Sequence, residues 1–220
     1  MISPRSFRIL VLLLTIGYSI EVATTANYTS FGAQFRFLTI WALTGNLIAA
    51  AAMLRPGHGH PDGRFDTALS VLAIINVLVV FSYWRLFFID PTLINGENTP
   101  KPYREYYLHL VGPILMWIDL FWLKRGFRQL IPVLGWLGVV VLIYIGWAEL
   151  LVAPLNAEPV GDVTSGLPYP FLNDMEPPAR ATFYGTIYGT GVFFALMFYG
   201  LAALLRRRRS EGCQPELESL

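Results

Sequence analysis

The sequence predicts an all-α, polytopic membrane protein: a six-transmembrane-helix bundle with both termini cytoplasmic. Composition is the first observation behind this. Of 220 residues, 55% are hydrophobic and only 14% charged. The mean hydropathy is +0.51. A soluble domain of this size is not so apolar. The second observation is a set of six apolar stretches, at 7–26, 35–54, 67–89, 105–123, 130–152 and 179–205. Each is close to the ~20 residues that a spanning helix needs. The third is the distribution of positive charge. With the N-terminus inside, the inner side receives 11 of the 16 basic residues, and the outer half receives Arg36, Arg85, Lys101, Arg104 and Arg180. Lys and Arg favour the cytoplasmic side, which sets the orientation. Residues 1–209 form the membrane domain and 210–220 a flexible acidic tail.

The first stretch follows Arg5 and Arg8, as a signal peptide would. It is about 19 residues long and has no clean small-x-small cleavage site, so it reads as a retained first helix. The second stretch reads Phe-Arg-Phe-Leu-Thr-Ile-Trp-Ala-Leu-Thr-Gly-Asn. Thr39 and Asn46 are seven residues apart and share a face, whereas Thr44 points elsewhere. Most membrane threonines bond their own helix backbone, which is the competing reading of Thr39. The third stretch carries Arg85 and the fifth Glu149, each near its outer end, where snorkelling is cheap. The sixth contains Gly185, Gly189 and Gly191, a spacing that reads as close helix packing.

The fourth stretch carries the most reactive group. An imidazole in an apolar run is costly unless it has a partner or a task. His109 lies four residues before Pro113, whose ring removes the hydrogen bond to the His109 carbonyl and loosens that turn. Glu105 is one turn before His109, close enough to orient its ring. The competing reading is a packed histidine bonded to a neighbouring helix. Counted along the chain, Thr39 and His109 each lie about four residues into their helices, roughly 6 Å below the outer surface. Glu21, Arg85 and Glu149 fall in the same outer layer.

The connector at 153–178 is long and proline-rich, but its Leu-Pro-Tyr-Pro-Phe-Leu core, 167–172, is apolar. It reads as a lid folded over the outer mouth rather than as disorder. His58 and His60 read as a solvated loop. The only cysteine, Cys213, lies in the tail, so no disulfide or cysteine metal cluster is expected. No metal or other cofactor is required, and a net charge of +1 gives no sign of nucleic-acid binding.

Three ordered stretches resemble a family of small multi-pass membrane hydrolases. They are Phe37-Leu38-Thr39-Ile40, His109 with Pro113, and Pro168-Tyr169-Pro170-Phe171-Leu172 followed by Pro178-Ala179-Arg180. The family comprises the androgen-induced protein and the androgen-dependent TFPI-regulating protein, with bacterial six-helix relatives. The resemblance implies hydrolysis of fatty acid esters of hydroxy fatty acids, with Thr39 as nucleophile and His109 as general base. It also implies a multi-pass protein of the cell membrane, here the bacterial inner membrane, acting on a lipid-like ester among membrane lipids. Glu21 or Glu105 would orient His109. Arg85, Tyr107, Tyr169 or backbone groups freed near Pro113 would stabilise the oxyanion, with Asn46 on the Thr39 face but about 10 Å away along the helix. The alternative is a small transporter or binder of amphiphiles using the same polar layer. A regulatory scaffold, needing neither residue, is the third option.

Overall fold

The computed structural model describes residues 3–55, 63–95, 101–156 and 166–211. Among these every regular element is helical. We number the six principal helices α1 (Pro4–Thr25), α2 (Leu38–Met53), α3 (Gly63–Ile89), α4 (Pro102–Leu123), α5 (Leu130–Leu155) and α6 (Pro177–Glu211). All except α2 are long and apolar enough to cross a membrane. With 16 residues, α2 is about 24 Å long. His58, His60, Cys213 and the tail beyond Glu211 lie outside the described residues, as does 157–165 of the long connector.

Helix α3 is the axis of the bundle. Ala73, Ile74 and Leu78 are fully enclosed, and α2, α4, α5 and α6 all pack against this helix. Close approach is set at two glycines. A Cβ on Gly45 of α2 would meet the Leu72 side chain of α3 at 2.6 Å. One on Gly191 of α6 would meet Leu137 at 3.1 Å and Leu78 at 3.2 Å. Gly185 and Gly189, expected to share the packing role, face open space. They lie on the exposed face of α6, whereas Ile187, Tyr188 and Gly191 face the bundle.

Polar contacts separate the two ends of the bundle. At the end carrying the chain termini, the Arg8 guanidinium donates bidentately to Asp119, with Nη2 to Oδ1 at 2.8 Å. The Asp66 carboxylate accepts from the amides of Phe127 and Arg128, each at 2.9 Å. It thereby fixes a tight turn in which Arg125 and Phe127 both hold φ of 61°. At the opposite end, Glu149 accepts from Arg180 at 3.0 Å and from the Tyr184 hydroxyl at 2.8 Å.

Mid-bundle, Asn46 and Asn76 exchange two amide hydrogen bonds of 2.9 and 2.8 Å. This pair accounts for Asn46, which the sequence places on the Thr39 face as a site-lining residue. A buried amide must be matched, and the facing amide on α3 matches it. Asn46→Leu should therefore cost about 1–3 kcal/mol, because it strands the Asn76 amide, while Asn46→Leu with Asn76→Leu should recover most of that loss. Thermal unfolding of the three variants in detergent checks this; a double variant less stable than the single one contradicts it.

Candidate functional site

The sequence places one more turn of helix before Thr39 than the structure forms. In an uninterrupted helix the Phe35 carbonyl would accept from the Thr39 amide and the Arg36 carbonyl from Ile40. Both acceptors are taken by side chains instead. The indoles of Trp41 and Trp147 donate to the Phe35 oxygen at 2.9 and 3.1 Å, and the Tyr144 hydroxyl donates to the Arg36 oxygen at 2.9 Å. Residues Ala33–Arg36 thus form a separate 3-10 turn, Phe37 is extended, and α2 begins at Leu38. Thr39 lies in the first turn of α2, not four residues inside it.

First-turn amides have no acceptor within their own helix. Here the Leu38 amide donates to the Tyr169 hydroxyl at 3.3 Å, and the Ile40 amide to the Phe37 carbonyl at 3.0 Å. That leaves the Thr39 amide without an acceptor among the described residues. It sits in the first turn, at the positive end of the helix dipole.

The partner of that hydroxyl comes from α4. Residues Tyr107–Val111 form a π-helical turn, with the Gly112 amide bonded back to the Tyr107 carbonyl. Pro113, fully buried, supplies no donor for the His109 carbonyl. Trp84 of α3 fills the vacancy, its indole donating to that oxygen at 2.9 Å. Helix α4 is thereby held open at one turn, and α3 is tied to it there.

His109 is 6% exposed, and each face of its ring is determined. Nε2 is 3.3 Å from the Thr39 hydroxyl. Nδ1 is 3.2 Å from Glu105 Oε2 and 3.2 Å from the Glu105 carbonyl. The ring plane stacks on Tyr83, with centroids 3.6 Å apart and planes 8° apart. Two oxygen acceptors at Nδ1 assign the proton to that nitrogen, which leaves the Nε2 lone pair facing Thr39. This is the tautomer a general base needs.

Above the pair sits the described part of the lid. Leu167 and Leu172 are buried, and the Tyr169 ring meets Phe37 edge-on with centroids 5.7 Å apart. The Tyr169 hydroxyl lies near the Thr39 and Tyr144 hydroxyls, close enough for them to affect its ionisation. Burial raises the Tyr169 phenol above its ordinary value, so it stays a protonated donor. Thr39, Glu105, His109 and Tyr169 all line one cavity of about 580 Å³. Its remaining walls are chiefly aliphatic and aromatic, including Ile75, Leu78, Val140 and Ile187. That volume and lining suit an elongated apolar ligand with one polar group.

Five other sequence-predicted residues stand away from this cavity. Tyr107 faces α1, where its ring stacks on Tyr18 at 3.7 Å and its hydroxyl meets Thr15 at 3.0 Å. Two positions before His109, it points to the opposite side of α4. Glu21 accepts from the Tyr103 hydroxyl at 2.9 Å rather than from His109. Arg85 is exposed, whereas its neighbours Tyr83 and Trp84 turn inward. Asn46 is engaged with Asn76, and Pro113 acts on the backbone only. Thr44 bonds its own helix at Ile40, the common fate of a membrane threonine. Sequence reasoning missed Tyr83, Trp84 and Tyr144. A lone hydroxyl in the apolar run Val-Val-Leu-Ile-Tyr-Ile was the available signal for Tyr144.

No curated protein and no solved structure matches the chain. A family model does, that of the FAR-17a/AIG1-like proteins, over residues 6–203. The match takes in every helix and each of the Thr39, His109 and Tyr169 motifs, and by it the chain belongs to the FAR-17a/AIG1-like family, the androgen-induced protein family its motifs resemble.

Proposed function

We propose that this protein is an intramembrane lipid-ester hydrolase in which Thr39 is the nucleophile and His109 the general base. The observation that carries this reading is the alignment of Thr39 Oγ1, His109 Nε2 and Glu105 across two helices, at 3.3 and 3.2 Å. A threonine hydroxyl is a weak nucleophile and needs an adjacent base that is itself oriented by a third group. In the attack, Oγ1 bonds to the ester carbonyl carbon and its proton passes to Nε2. Glu105 balances the imidazolium that forms. The tetrahedral oxyanion is met by the Thr39 amide and the Tyr169 hydroxyl, donors fixed before the reaction begins. Collapse expels the alcohol, which takes the proton back from Nε2 and leaves an acyl-threonine. Water, deprotonated by His109, then releases the fatty acid and restores Thr39.

Fatty acid esters of hydroxy fatty acids are the substrate class, as the family resemblance implies, and the apolar walls suit their acyl chains. The chain crosses the bacterial inner membrane six times, with α2 as the shortest span and both termini cytoplasmic. The basic cluster Arg206–Arg209 at the end of α6 supports this orientation.

Thr39→Ala and His109→Ala should each lower kcat/KM for a lipid ester by about a thousandfold or more, and the double variant should be little worse than either, as expected of groups acting as one unit. Thr44→Ala should be mild. Tyr169→Phe should lower kcat by about 10²-fold, with little change in KM. An ester-directed fluorophosphonate should label the wild type and not Thr39→Ala. Full activity in Thr39→Ala would refute the reading and favour a binder or transporter of amphiphiles. For topology, a cysteine placed at 162 should react with an impermeant maleimide in intact cells, and Cys213 only after permeabilisation; the reverse pattern refutes the orientation.

A further inference from the structure

The cavity wall holds a positive charge that the ester chemistry does not use. Arg36 ends the 3-10 turn that precedes Thr39, and it is only 6% exposed. Its Nε donates to the Ala33 carbonyl at 3.0 Å, and its guanidinium carbon lies 5.2 Å from the centre of the Phe37 ring. Nη1 is buried without any hydrogen-bond partner. Among the described residues no carboxylate pairs with it. The other basic groups on this wall are compensated: Arg104 by Glu105 at 3.4 Å and Lys101 by Glu21 at 3.7 Å. Two residues away, Gln34 also lines the cavity, and its amide oxygen is buried and unmatched.

A guanidinium taken out of water without a counter-charge is costly. Here the turn is built to keep it there. Gly32 holds φ of 80° and Ala33 a φ of 40°, both left-handed. A Cβ on Gly32 would come within 3.0 Å of the Arg36 stem and 3.1 Å of Trp147. Asn156 clamps the start of the turn, accepting from the Phe31 amide at 2.9 Å and donating to its carbonyl at 3.1 Å. Rigid backbone thus fixes an unpaired cation on the wall of an apolar cavity, three residues from Thr39. Three residues span at most about 11 Å.

We propose that Arg36 is the anchor for a free carboxylate carried by the lipid that fills this cavity, and so sets the enzyme's preference for esters bearing an acid group. This rests on the cavity being the lipid site of the proposed hydrolase. One fork-shaped guanidinium matches one carboxylate, whereas a phosphate dianion would leave a charge uncompensated. The aliphatic walls take the chain behind it.

The test is a binding measurement, independent of turnover. It uses the purified Thr39→Ala protein in detergent at pH 8.5, with 11-(dansylamino)undecanoic acid and its methyl ester as fluorescent probes. The acid should bind about 10- to 100-fold more tightly than the ester. Arg36→Gln should abolish that difference through loss of acid affinity alone, and Arg36→Lys should restore part of it. Equal affinity for acid and ester in the Thr39→Ala protein overturns the proposal without any Arg36 variant having to fold. Retention of the preference in Arg36→Gln also overturns it. Dodecanoate should displace the probe at lower concentration than dodecyl phosphate; the opposite order overturns the assignment to a carboxylate. If ester hydrolysis is absent but the Arg36-dependent acid preference stands, the hydrolase reading fails and the carboxylate site survives as that of a lipid-acid binder.

Discussion

In a lipid environment every backbone polar group must be satisfied within the protein, because no water is at hand to do so. The site of this protein is built by breaking that rule locally and repairing it from other helices. Pro113 strips the donor from the His109 carbonyl, and the Trp84 indole replaces it. The carbonyls of Phe35 and Arg36 leave helical pairing and accept instead from Trp41, Trp147 and Tyr144. Each repair ties a helix to the turn bearing a reactive side chain. A neutral hydrogen bond is worth only about 1 kcal/mol net, but a stranded partner costs more. The repairs therefore hold geometry more than they add stability.

That geometry has consequences for chemistry. Starting α2 at Leu38 puts the Thr39 hydroxyl and its unmatched amide in the first turn, so the proposed nucleophile and the proposed oxyanion donor share one backbone. Two-residue spacing sends Tyr107 toward α1 and His109 toward the cavity, from the same turn of α4. The lid closes the arrangement through Tyr169, which accepts from Leu38 with one lone pair and keeps its own proton to give. Excluding water from such a site strengthens each of these contacts.

Much of this was legible in the sequence, for physical reasons. Membrane thickness imposes a length on apolar runs, so a helix could be expected in each; five are long and apolar enough to cross, α2 is shorter, and α6 runs six residues past its expected end. A histidine with a proline one turn later in an apolar run marked the reactive turn of α4. The start of α2 was not legible, because the groups that end helical pairing there, Tyr144 and Trp147, arrive from more than 100 positions away. Depth counted from assumed helix ends was wrong in detail for the same reason: α2 begins three residues late and α4 three residues early, so Thr39 and His109 meet from unequal counts. Charge alone misled at Arg85, which points outward, and at Glu21, which pairs with Tyr103. Arg36 counted in the sequence only as one of the outer-side basic residues; its burial and its unpartnered Nη1 are visible only in the fold.

The central claim is that catalysis passes through a covalent acyl group on Thr39, and the most direct measurement is to trap it. Purified protein turning over a lipid ester would be quenched in acid, digested, and its peptides weighed by mass spectrometry. The acyl mass should appear on the peptide containing Thr39, should be absent when Thr39 is alanine, and should disappear once the ester is removed or consumed before the quench. Steady turnover with the acyl group on a different residue would contradict the assignment.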